Sequence, residues 1–293
     1  MNRGTSRRAS RVRNGGSAVP EPAHIVVAGS GLAGLACAAV LGRDARVTVF
    51  ERLPVIGGEL WEDRAHIGLR AKAEARGVAF APGTQAVRWE GDRLLAIGQS
   101  GGLHPAHALV VATGHRPRTR AESRVDGART GGVIPATVAA HLLARRVILG
   151  RNVVILGAGR WAREVAVEVL KVAETCTVLG SPWLGFPAAA EVLPGVRVLR
   201  TLGTPRIQSI EVSDGRRTWT RACDSLVLAD GHVPYRNVDG AVLDRPGVIF
   251  AQDLDDDEPG WSPIEAGIQA ATLALHQRAP RDHAPTTLRI GHP

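Results

Sequence analysis

The stretch that most constrains this chain runs from His24 to Arg52 and reads HIVVAGSGLAGLACAAVLGRDARVTVFER. An apolar run rich in β-branched residues precedes three glycines spaced G-x-G-x-x-G, and a segment of small residues follows them. This order predicts a buried strand, a tight turn, a helix and a second strand within about thirty residues. The second strand ends at an acid, Glu51. The whole pattern is typical of a βαβ unit that binds a dinucleotide.

Each residue type in this turn has a physical reason. Gly29 permits the sharp turn, Gly31 leaves the main chain bare for a pyrophosphate, and Gly34 lets helix and strand pack closely. The helix start offers unpaired N–H groups to the phosphates, and Glu51 can accept hydrogen bonds from a ribose diol. The remaining predicted contacts of the segment are Ser30, Leu32, Ala33 and Arg52. The alternative is a glycine-rich turn that serves packing only.

A second glycine turn lies in NVVILGAGRWAREVAVEVL, which begins at Asn152. Gly157 and Gly159 fill the first two glycine positions, and Ala162, a tolerated small residue, fills the third. We therefore predict a second Rossmann-like unit that binds a nicotinamide dinucleotide through this turn.

Two features of the second unit leave its ligand open. No acid follows its second strand, which ends Leu179-Gly180-Ser181, so neither NAD nor NADP is favoured. Arg160 is predicted to contact a phosphate, but together with Trp161 it can also occlude the turn. The alternative is a nucleotide fold that binds nothing.

Two further stretches, ERLPVIGGEL and ALVVATGHRPRT, carry a resemblance. The series G-x-G-x-x-G, E-R-x-P-x-x-G-G and A-T-G-x-R-P resembles the FAD domain of two-dinucleotide-domain flavoproteins, the pyridine nucleotide–disulfide oxidoreductase superfamily. The resemblance implies FAD contacts at Gly58, Thr113 and Gly114. It also implies a ribityl-binding aspartate in the pattern G-[VI]-[FY]-A-x-G-D. This chain reads F-A-Q-D there, without the glycine, so Asp253 is the match and Asp255 the alternative.

The run from Leu109 to Gly159 also resembles a narrower group. It is similar to flavoproteins related to the α subunits of sarcosine oxidase, opine oxidase and hydrogen cyanide synthase. It is similar as well to FAD/NAD oxidoreductases linked to anaerobic glycerol-3-phosphate oxidation. This resemblance implies a flavin that passes electrons while a partner subunit oxidises an amine or an amino acid.

These observations predict an α/β chain with two Rossmann-like, three-layer units, the second inserted in the first. The expected boundaries are a disordered basic arm at 1–22, an FAD-binding domain at 23–145 and 224–280, a shortened NAD(P)-binding-like domain at 146–223, and a tail at 281–293. The arm is expected because its arginines, at positions 3, 7, 8, 11 and 13, stand in a segment with almost no apolar content.

Composition narrows the possible reactions, ligands and partners further. The chain has 3 cysteines among 293 residues and no C-x-x-C pair, so we expect neither disulfide relay chemistry nor a metal site. It has no apolar run of about 18 residues and no apolar segment after the first arginines, so we expect a cytoplasmic protein without a membrane span. The scattered tryptophans suggest no nucleic-acid surface.

The function predicted from the sequence is therefore FAD-dependent oxidation and reduction. Electrons would pass between NAD(P)H, or a partner subunit's substrate, and a small-molecule substrate or acceptor through non-covalent flavin. No catalytic residue is assigned; His66 and His115 are candidates for proton transfer that are more often structural. The alternatives are the flavin-carrying subunit of a multi-subunit amine or amino-acid dehydrogenase, and a non-catalytic Rossmann scaffold.

Overall fold

The computed structural model describes residues 22–58, 62–180, 185–235, 237–251 and 262–277. The strands in this part of the chain are β1 (His24–Ala28), β2 (Arg46–Phe50), β3 (Ala79–Ala81), β4 (Thr84–Trp89), β5 (Arg93–Gly98), β6 (Gly102–Pro105), β7 (Ala108–Val111), β8 (His115–Pro117), β9 (Asp126–Gly127), β10 (Val133–Pro135), β11 (Asn152–Leu156), β12 (Thr175–Leu179), β13 (Glu191–Leu193), β14 (Arg197–Leu202), β15 (Ser209–Ser213), β16 (Thr218–Ala222), β17 (Ser225–Leu228), β18 (His232–Pro234) and β19 (Val248–Phe250). The helices are α1 (Leu32–Leu41), α2 (Arg64–Glu74), α3 (Ala136–Ala144), α4 (Arg160–Val169) and α5 (Pro263–Gln277). Within these ranges no helix combines the length and the apolar character that crossing a membrane requires.

The first unit is built on a parallel sheet with the strand order β19-β7-β1-β2-β3. Every residue of β1 is buried, and its side chains alternate between the two faces of the sheet. Ile25 and Val27 pack with α1 and α5 on one face, whereas Val26 and Ala28 pack with the antiparallel sheet β4-β5-β6 on the other. Helices, parallel sheet and antiparallel sheet therefore form three layers.

The second unit repeats this arrangement with the parallel order β10-β17-β11-β12-β13. Val153 and Ile155 of β11 pack with α3 and α4, while Val154 and Leu156 pack with the sheet that contains β14 and β15. The strands of the second sheet lie between β7 and β19 in the chain. The predicted α/β fold, with a second Rossmann-like unit inserted in the first, is confirmed.

The sheets divide the chain differently from the predicted boundaries. β10 pairs with β17 through Val133 and Leu226, and the buried residues of α3 pack with those of α4. β10, α3 and β17 thus belong to the second sheet, whereas the predicted ranges 23–145 and 224–280 placed them in the first unit. The short β10 carries too little local pattern to reveal its partner, because strand pairing is set by residues far away in the chain.

An antiparallel ribbon joins the two units. β8 leaves the first sheet, β18 leaves the second, and the two strands pair with His232 opposite Pro117 and Pro234 opposite His115. The chain therefore passes between the units in both directions through neighbouring strands.

A buried histidine closes the amino edge of the first sheet. The His24 ring contacts the Pro105 carbonyl through Nδ1 (2.6 Å) and the Thr48 hydroxyl through Nε2 (2.9 Å). The backbone N–H of His24 donates to Nδ1 of His107 (3.0 Å). Burial lowers the pKa of His24, with Arg46, His104 and His107 acting in the same direction and the Pro105 hydrogen bond opposing them.

We expect acid to destabilise the fold through this group. The pKa of His24 is lower in the folded than in the unfolded chain, so its contribution is present above the unfolded pKa of about 6.5 and is lost as pH falls through the folded pKa. Each proton taken up on unfolding lowers the free energy of unfolding by at most about 1.4 kcal/mol per pH unit. His66 has a pKa lowered mainly by burial and adds to the same slope.

The measurement is the free energy of unfolding as a function of pH for the wild type and for His24→Asn. Asparagine keeps a donor for the Pro105 carbonyl but does not titrate, so the variant should show a shallower slope below pH 6.5. The exposed His276, in the last turn of α5, supplies the variant His276→Asn as a control for the same substitution at the surface. An unchanged slope in His24→Asn would show that His24 does not contribute to the loss of stability in acid.

Candidate functional site

The first glycine turn lies at the carboxyl end of β1, and two of its glycines are required by packing. Gly29 has a φ of 104°, and a Cβ atom there would lie 2.3 Å from the carbonyl oxygen of Ala112, just after β7. A Cβ atom on Gly34 would lie 2.1 Å from the carbonyl oxygen of Gly29. These glycines bring α1 close against the ends of β1 and β7.

Packing does not require a glycine at the middle position, Gly31. Gly31 is the N-cap of α1 with φ −67° and ψ −177°, which any residue can adopt. Among the residues that the structure describes, no atom lies within 4 Å of an added Cβ. Added Cβ atoms on Gly58 and Gly114 would also meet no atom of the described chain within 4 Å. The bare main chain at Gly31 therefore borders open space in front of the helix start. A diphosphate can approach its N–H groups there.

Glu51 turns its carboxylate toward this turn. Its Oε2 accepts hydrogen bonds from the backbone N–H (3.0 Å) and the hydroxyl (2.7 Å) of Ser30, and its Oε1 accepts one from the N–H of Leu53 (2.9 Å). The Ser30 hydroxyl in turn accepts from the N–H of Gly57 (2.9 Å). A carboxylate has about four acceptor positions, so three internal donors leave room for one ribose hydroxyl.

The amino ends of two helices meet beside the turn. A Cβ atom on Gly267, in the second turn of α5, would lie 2.2 Å from the carbonyl oxygen of Ala33, in the first turn of α1. Each helix start carries a partial positive charge and N–H groups without helical partners. Their proximity favours an anionic ligand in front of Gly31, Leu32 and Ala33.

The opposite wall of the crevice is formed by the end of β7 and by a segment from the ribbon. The Thr113 hydroxyl donates to the carbonyl oxygen of Tyr235 (2.6 Å), and the N–H of Tyr235 donates to the carbonyl oxygen of Gly114 (2.9 Å). The guanidinium carbon of Arg52 lies 6.0 Å from the centre of the Tyr235 ring. Sequence reasoning missed Tyr235, although it directly follows the strand in LADGHVPY.

The second glycine turn has the same backbone geometry but a different set of side chains. Gly157 has a φ of 133°, and an added Cβ would lie 2.0 Å from the carbonyl oxygen of Ala229, just after β17. Gly159 is the N-cap of α4, and Ala162 is fully buried. The position after β12 that corresponds to Glu51 is occupied by Gly180. The second crevice therefore has a helix start for a diphosphate but no carboxylate at Gly180 for a ribose.

The side chains of Arg160 and Trp161, which follow Gly159, lie in different surroundings. The Arg160 guanidinium pairs with the Glu164 carboxylate (2.8 Å) on the exposed side of α4. The Trp161 ring lies 5.8 Å from the His232 ring, which makes an edge contact with the His115 ring at 4.5 Å. This series of rings connects the second turn with the ribbon that follows Gly114. The predicted phosphate contact of Arg160 thus competes with its ion pair.

His66, which with His115 was a candidate for proton transfer, lies in the first turn of α2. Its side chain is buried, and its Nδ1 lies 3.8 Å from the carboxylate of Asp63, the N-cap of the helix. Burial lowers the pKa of His66 and the nearby Asp63 carboxylate opposes this shift. The imidazole is therefore neutral near pH 7 and can serve as a hydrogen-bond partner rather than as a fixed charge.

The three cysteines carry no reactive thiolate. Cys37, Cys176 and Cys223 are free and buried. Burial raises their pKa values to about 12, about 11 and about 12 respectively. Thiolate is the nucleophilic form, so none of the three is suited to disulfide exchange at neutral pH.

The predicted ribityl contact, Asp253, and its alternative, Asp255, lie outside the described residues, as do residues 1–21 of the proposed arm and the whole proposed tail. The structure brings the other predicted residues of the first turn, namely Gly29, Ser30, Gly31, Leu32, Ala33, Gly34 and Glu51, to one crevice with Thr113 and Gly114. Their role in binding a cofactor stays a prediction.

Comparison with known proteins agrees with this geometry. Residues 2–137 match the family model described as pyridine nucleotide-disulphide oxidoreductase, and three solved structures extend the likeness to the second unit. Thioredoxin reductase of Lactococcus lactis in its FR conformation has 16% identity and a TM-score of 0.65, covering 88% of this chain and 99% of that one. The chain shares the fold of this reductase.

The same fold is seen in two further structures. Bacillithiol disulfide reductase of Bacillus cereus has 15% identity and a TM-score of 0.64, covering 88% of this chain and 98% of that one. The covalent putidaredoxin reductase–putidaredoxin complex has 20% identity and a TM-score of 0.57, covering 89% of this chain and 77% of that one. A comparison of the sequence with curated proteins finds no match. These findings agree with the predicted oxidoreductase and flavoprotein class but do not support the narrower resemblance to sarcosine oxidase and hydrogen cyanide synthase subunits.

Proposed function

We propose that this chain is an FAD-dependent oxidoreductase that takes electrons from NAD(P)H and passes them to an acceptor without a redox-active disulfide. FAD would occupy the crevice at the first glycine turn. The observation that carries the proposal is the bare main chain at Gly31, where no described atom would contact an added Cβ, directly after Ser30, which donates to the Glu51 carboxylate. The matching family model and the fold of the reductases support the same cofactor.

The residues of the first crevice fit an extended dinucleotide. The N–H groups after Gly31 would hold the diphosphate, and Glu51 would accept a hydrogen bond from the adenosine ribose. Gly58 and Gly114 would allow the ligand to approach the main chain on either side. Bound FAD would supply a two-electron acceptor for hydride, while these residues orient it and exclude water.

The second crevice is proposed to take the nicotinamide dinucleotide. Gly159 offers its helix start to a diphosphate, but Gly180 stands where a ribose carboxylate would be. The proposal therefore covers NAD and NADP alike. The absence of a C-x-x-C pair and the burial of all three thiols separate this chain from reductases that use a dithiol.

The decisive experiment is a visible spectrum of the purified protein after incubation with FAD, followed by titration with NADH and with NADPH without oxygen. We expect the protein to retain flavin on gel filtration and the flavin absorbance to bleach with at least one of the two nucleotides. Protein that cannot retain FAD would reject the flavin assignment. Flavin that stays oxidised with both nucleotides, yet bleaches with dithionite, would reject the nicotinamide donor.

A matched variant separates the two crevices. Gly159→Asp places a carboxylate at the second helix start, where it repels a diphosphate but leaves the first crevice unchanged. We expect this variant to retain FAD and to bleach with dithionite but only slowly with the nucleotides. Undiminished reduction by NADH or NADPH would show that the second turn does not hold the donor.

A second candidate is the flavin-carrying subunit of a larger dehydrogenase, as the resemblance of Leu109–Gly159 implies. One of the similar structures is a reductase in complex with its protein partner, putidaredoxin. A complex that copurifies from the native source and supplies electrons to the flavin would favour this candidate. The cytoplasmic location stays a prediction under either function.

A further inference from the structure

The loop between α3 and β11 exposes two aliphatic side chains at the amino edge of the second sheet. Val147 and Ile148 are 43% and 63% exposed, although the next residue, Leu149, is buried in the core of this unit. The loop itself is fixed, because the carbonyl oxygen of Leu149 accepts hydrogen bonds from the Ser225 hydroxyl (2.6 Å) and the Arg206 guanidinium (3.0 Å). The loop precedes β11, so it lies at the opposite end of the sheet from the second glycine turn, which follows β11.

Helix α3 ends in a motif that usually contains a glycine, but here an arginine occupies that position. The N–H of Arg146 donates to the carbonyl oxygen of Leu143 (2.8 Å), and the N–H of Val147 donates to that of Leu142 (2.9 Å). These are the two hydrogen bonds of a Schellman motif, whose left-handed residue is Arg146 with a φ of 61°. A side chain is strained in this conformation, which is why glycine is the usual residue. The chain thus carries an exposed arginine at a cost in stability, and such strain indicates a function at the surface.

Positive charge lies beside the two aliphatic side chains. Arg145 and Arg146 directly precede Val147, and the guanidinium of Arg206 contacts the residue that follows Ile148. All three arginines are exposed. We call this group the edge patch, and its members are Arg145, Arg146, Val147, Ile148 and Arg206.

Two acids near the edge patch already have partners. The carboxylate of Glu174 accepts from the guanidinium of Arg151 (2.6 Å), so these two charges offset each other. The carboxylate of Asp224 accepts from the backbone N–H groups of Arg151 (2.9 Å) and Asn152 (2.8 Å) at the start of β11. The edge patch therefore offers net positive charge together with apolar surface.

We propose that the edge patch docks this protein on an anionic phospholipid surface. Aliphatic side chains gain free energy by leaving water for the boundary between headgroups and acyl chains, while arginines beside them stay at the level of the phosphates. Single-stranded nucleic acid fits less well, because its binding uses aromatic stacking and the edge patch contains no aromatic side chain. The inference goes beyond the proposed function and does not depend on it. The second glycine turn is at the opposite end of its sheet, so docking leaves that crevice open.

The test is cosedimentation of the full chain with vesicles of equal parts phosphatidylcholine and phosphatidylglycerol, and with vesicles of phosphatidylcholine alone. We expect binding to the anionic vesicles that weakens as salt is added, and little binding to the neutral ones. Ile148→Ser should weaken binding to the anionic vesicles about 10-fold, because the burial of one isoleucine side chain is lost. Ile97→Ser is the matched control, since Ile97 is 61% exposed on β5 of the first unit, and it should leave binding unchanged.

A second pair of variants separates the edge patch from the overall positive charge of the chain. Arg146→Gly and Arg124→Gly remove the same charge, and each replaces an exposed arginine with a positive φ, 61° and 55° respectively. Both should unfold no more easily than the wild type, because glycine relieves the strain. Only Arg146→Gly should weaken vesicle binding, by about 5-fold, the contribution of one cation near an anionic surface. Equal weakening in both variants would mean that binding follows net charge alone, and the edge patch would be rejected.

A fluorescent probe reports insertion directly. The three native cysteines are buried, so Ile148→Cys provides an accessible thiol for a polarity-sensitive dye. We expect the emission of this dye to shift to the blue with anionic vesicles, and the emission of the same dye on Ile97→Cys to stay unshifted. The proposal would be overturned by a protein that does not bind anionic vesicles, or by binding without a shift of the dye at position 148.

Discussion

A single carboxylate at the start of α1 should weaken FAD binding about 1,000-fold without weakening the fold. In the variant Gly31→Asp, the new side chain has space, because no described residue has an atom within 4 Å of a Cβ at this position. The backbone already has the extended conformation of an N-cap, and aspartate is a preferred N-cap residue. The variant should therefore be as stable as the wild type, or slightly more stable.

The effect on the ligand should be large. The carboxylate would stand where the diphosphate is proposed to bind, and like charges about 4 Å apart repel by about 4 kcal/mol at an effective dielectric constant of about 20. That repulsion corresponds to a loss of about 1,000-fold in affinity. The measurement is the dissociation constant of FAD, together with the free energy of unfolding of the apoprotein.

Gly31→Asn is the matched control, because asparagine has nearly the same shape and N-cap preference but no charge. It should lose far less affinity than Gly31→Asp. If the two variants bound FAD equally well, a diphosphate would not lie in front of Gly31, and the proposed cofactor site would be wrong. If both unfolded, the open space at this position would be misassigned.

The second large effect concerns stability, and it comes from Gly267 in α5. Its added Cβ would lie 2.2 Å from the carbonyl oxygen of Ala33, so Gly267→Ala forces α5 away from α1. Overpacking of a tight contact costs roughly 1 to 3 kcal/mol. We expect a loss of about 2 kcal/mol or more in the free energy of unfolding, because the obstructing atom belongs to the backbone and cannot rotate away. Denaturant unfolding measures this quantity.

A glycine-to-alanine substitution in α2 should instead raise the free energy of unfolding. Gly68 lies in the interior of α2, where an added Cβ meets no atom within 4 Å in the part of the chain that the structure describes. Alanine has the higher helix propensity, so Gly68→Ala should raise the free energy of unfolding by about 1 kcal/mol. A stabilising effect of Gly267→Ala would show that α5 does not approach α1 as closely as described.

Much of the first unit follows from local sequence. The sequence predicts β1, α1 and β2 because the hydrophobic run, the glycine spacing and the terminal acid all lie within one short segment. The same pattern predicted β11, α4 and β12. Glu51 was placed correctly at the turn, because a strand that follows a right-handed crossover returns beside the first strand.

Other elements were misplaced or missed for a physical reason. β10 and α3 were assigned to the first unit, although parallel pairing with β17 places β10 in the second sheet. Tyr235 was not selected, because its proximity to Arg52 depends on the ribbon of β8 and β18. In both cases the partners lie far apart in the chain, and no periodicity or spacing connects them.

The sequence by itself determined the two dinucleotide turns and the α/β class, because a βαβ unit is encoded by residues that are neighbours in the chain. Only the tertiary structure decided which helix ends meet and which side chains close the crevice. The spacing of Gly29, Gly31 and Gly34 already predicts a different role for each, and the tertiary structure supplies the atoms that enforce these roles. They differ because Ala112 and the turn itself press against Gly29 and Gly34, whereas nothing in the described chain covers Gly31.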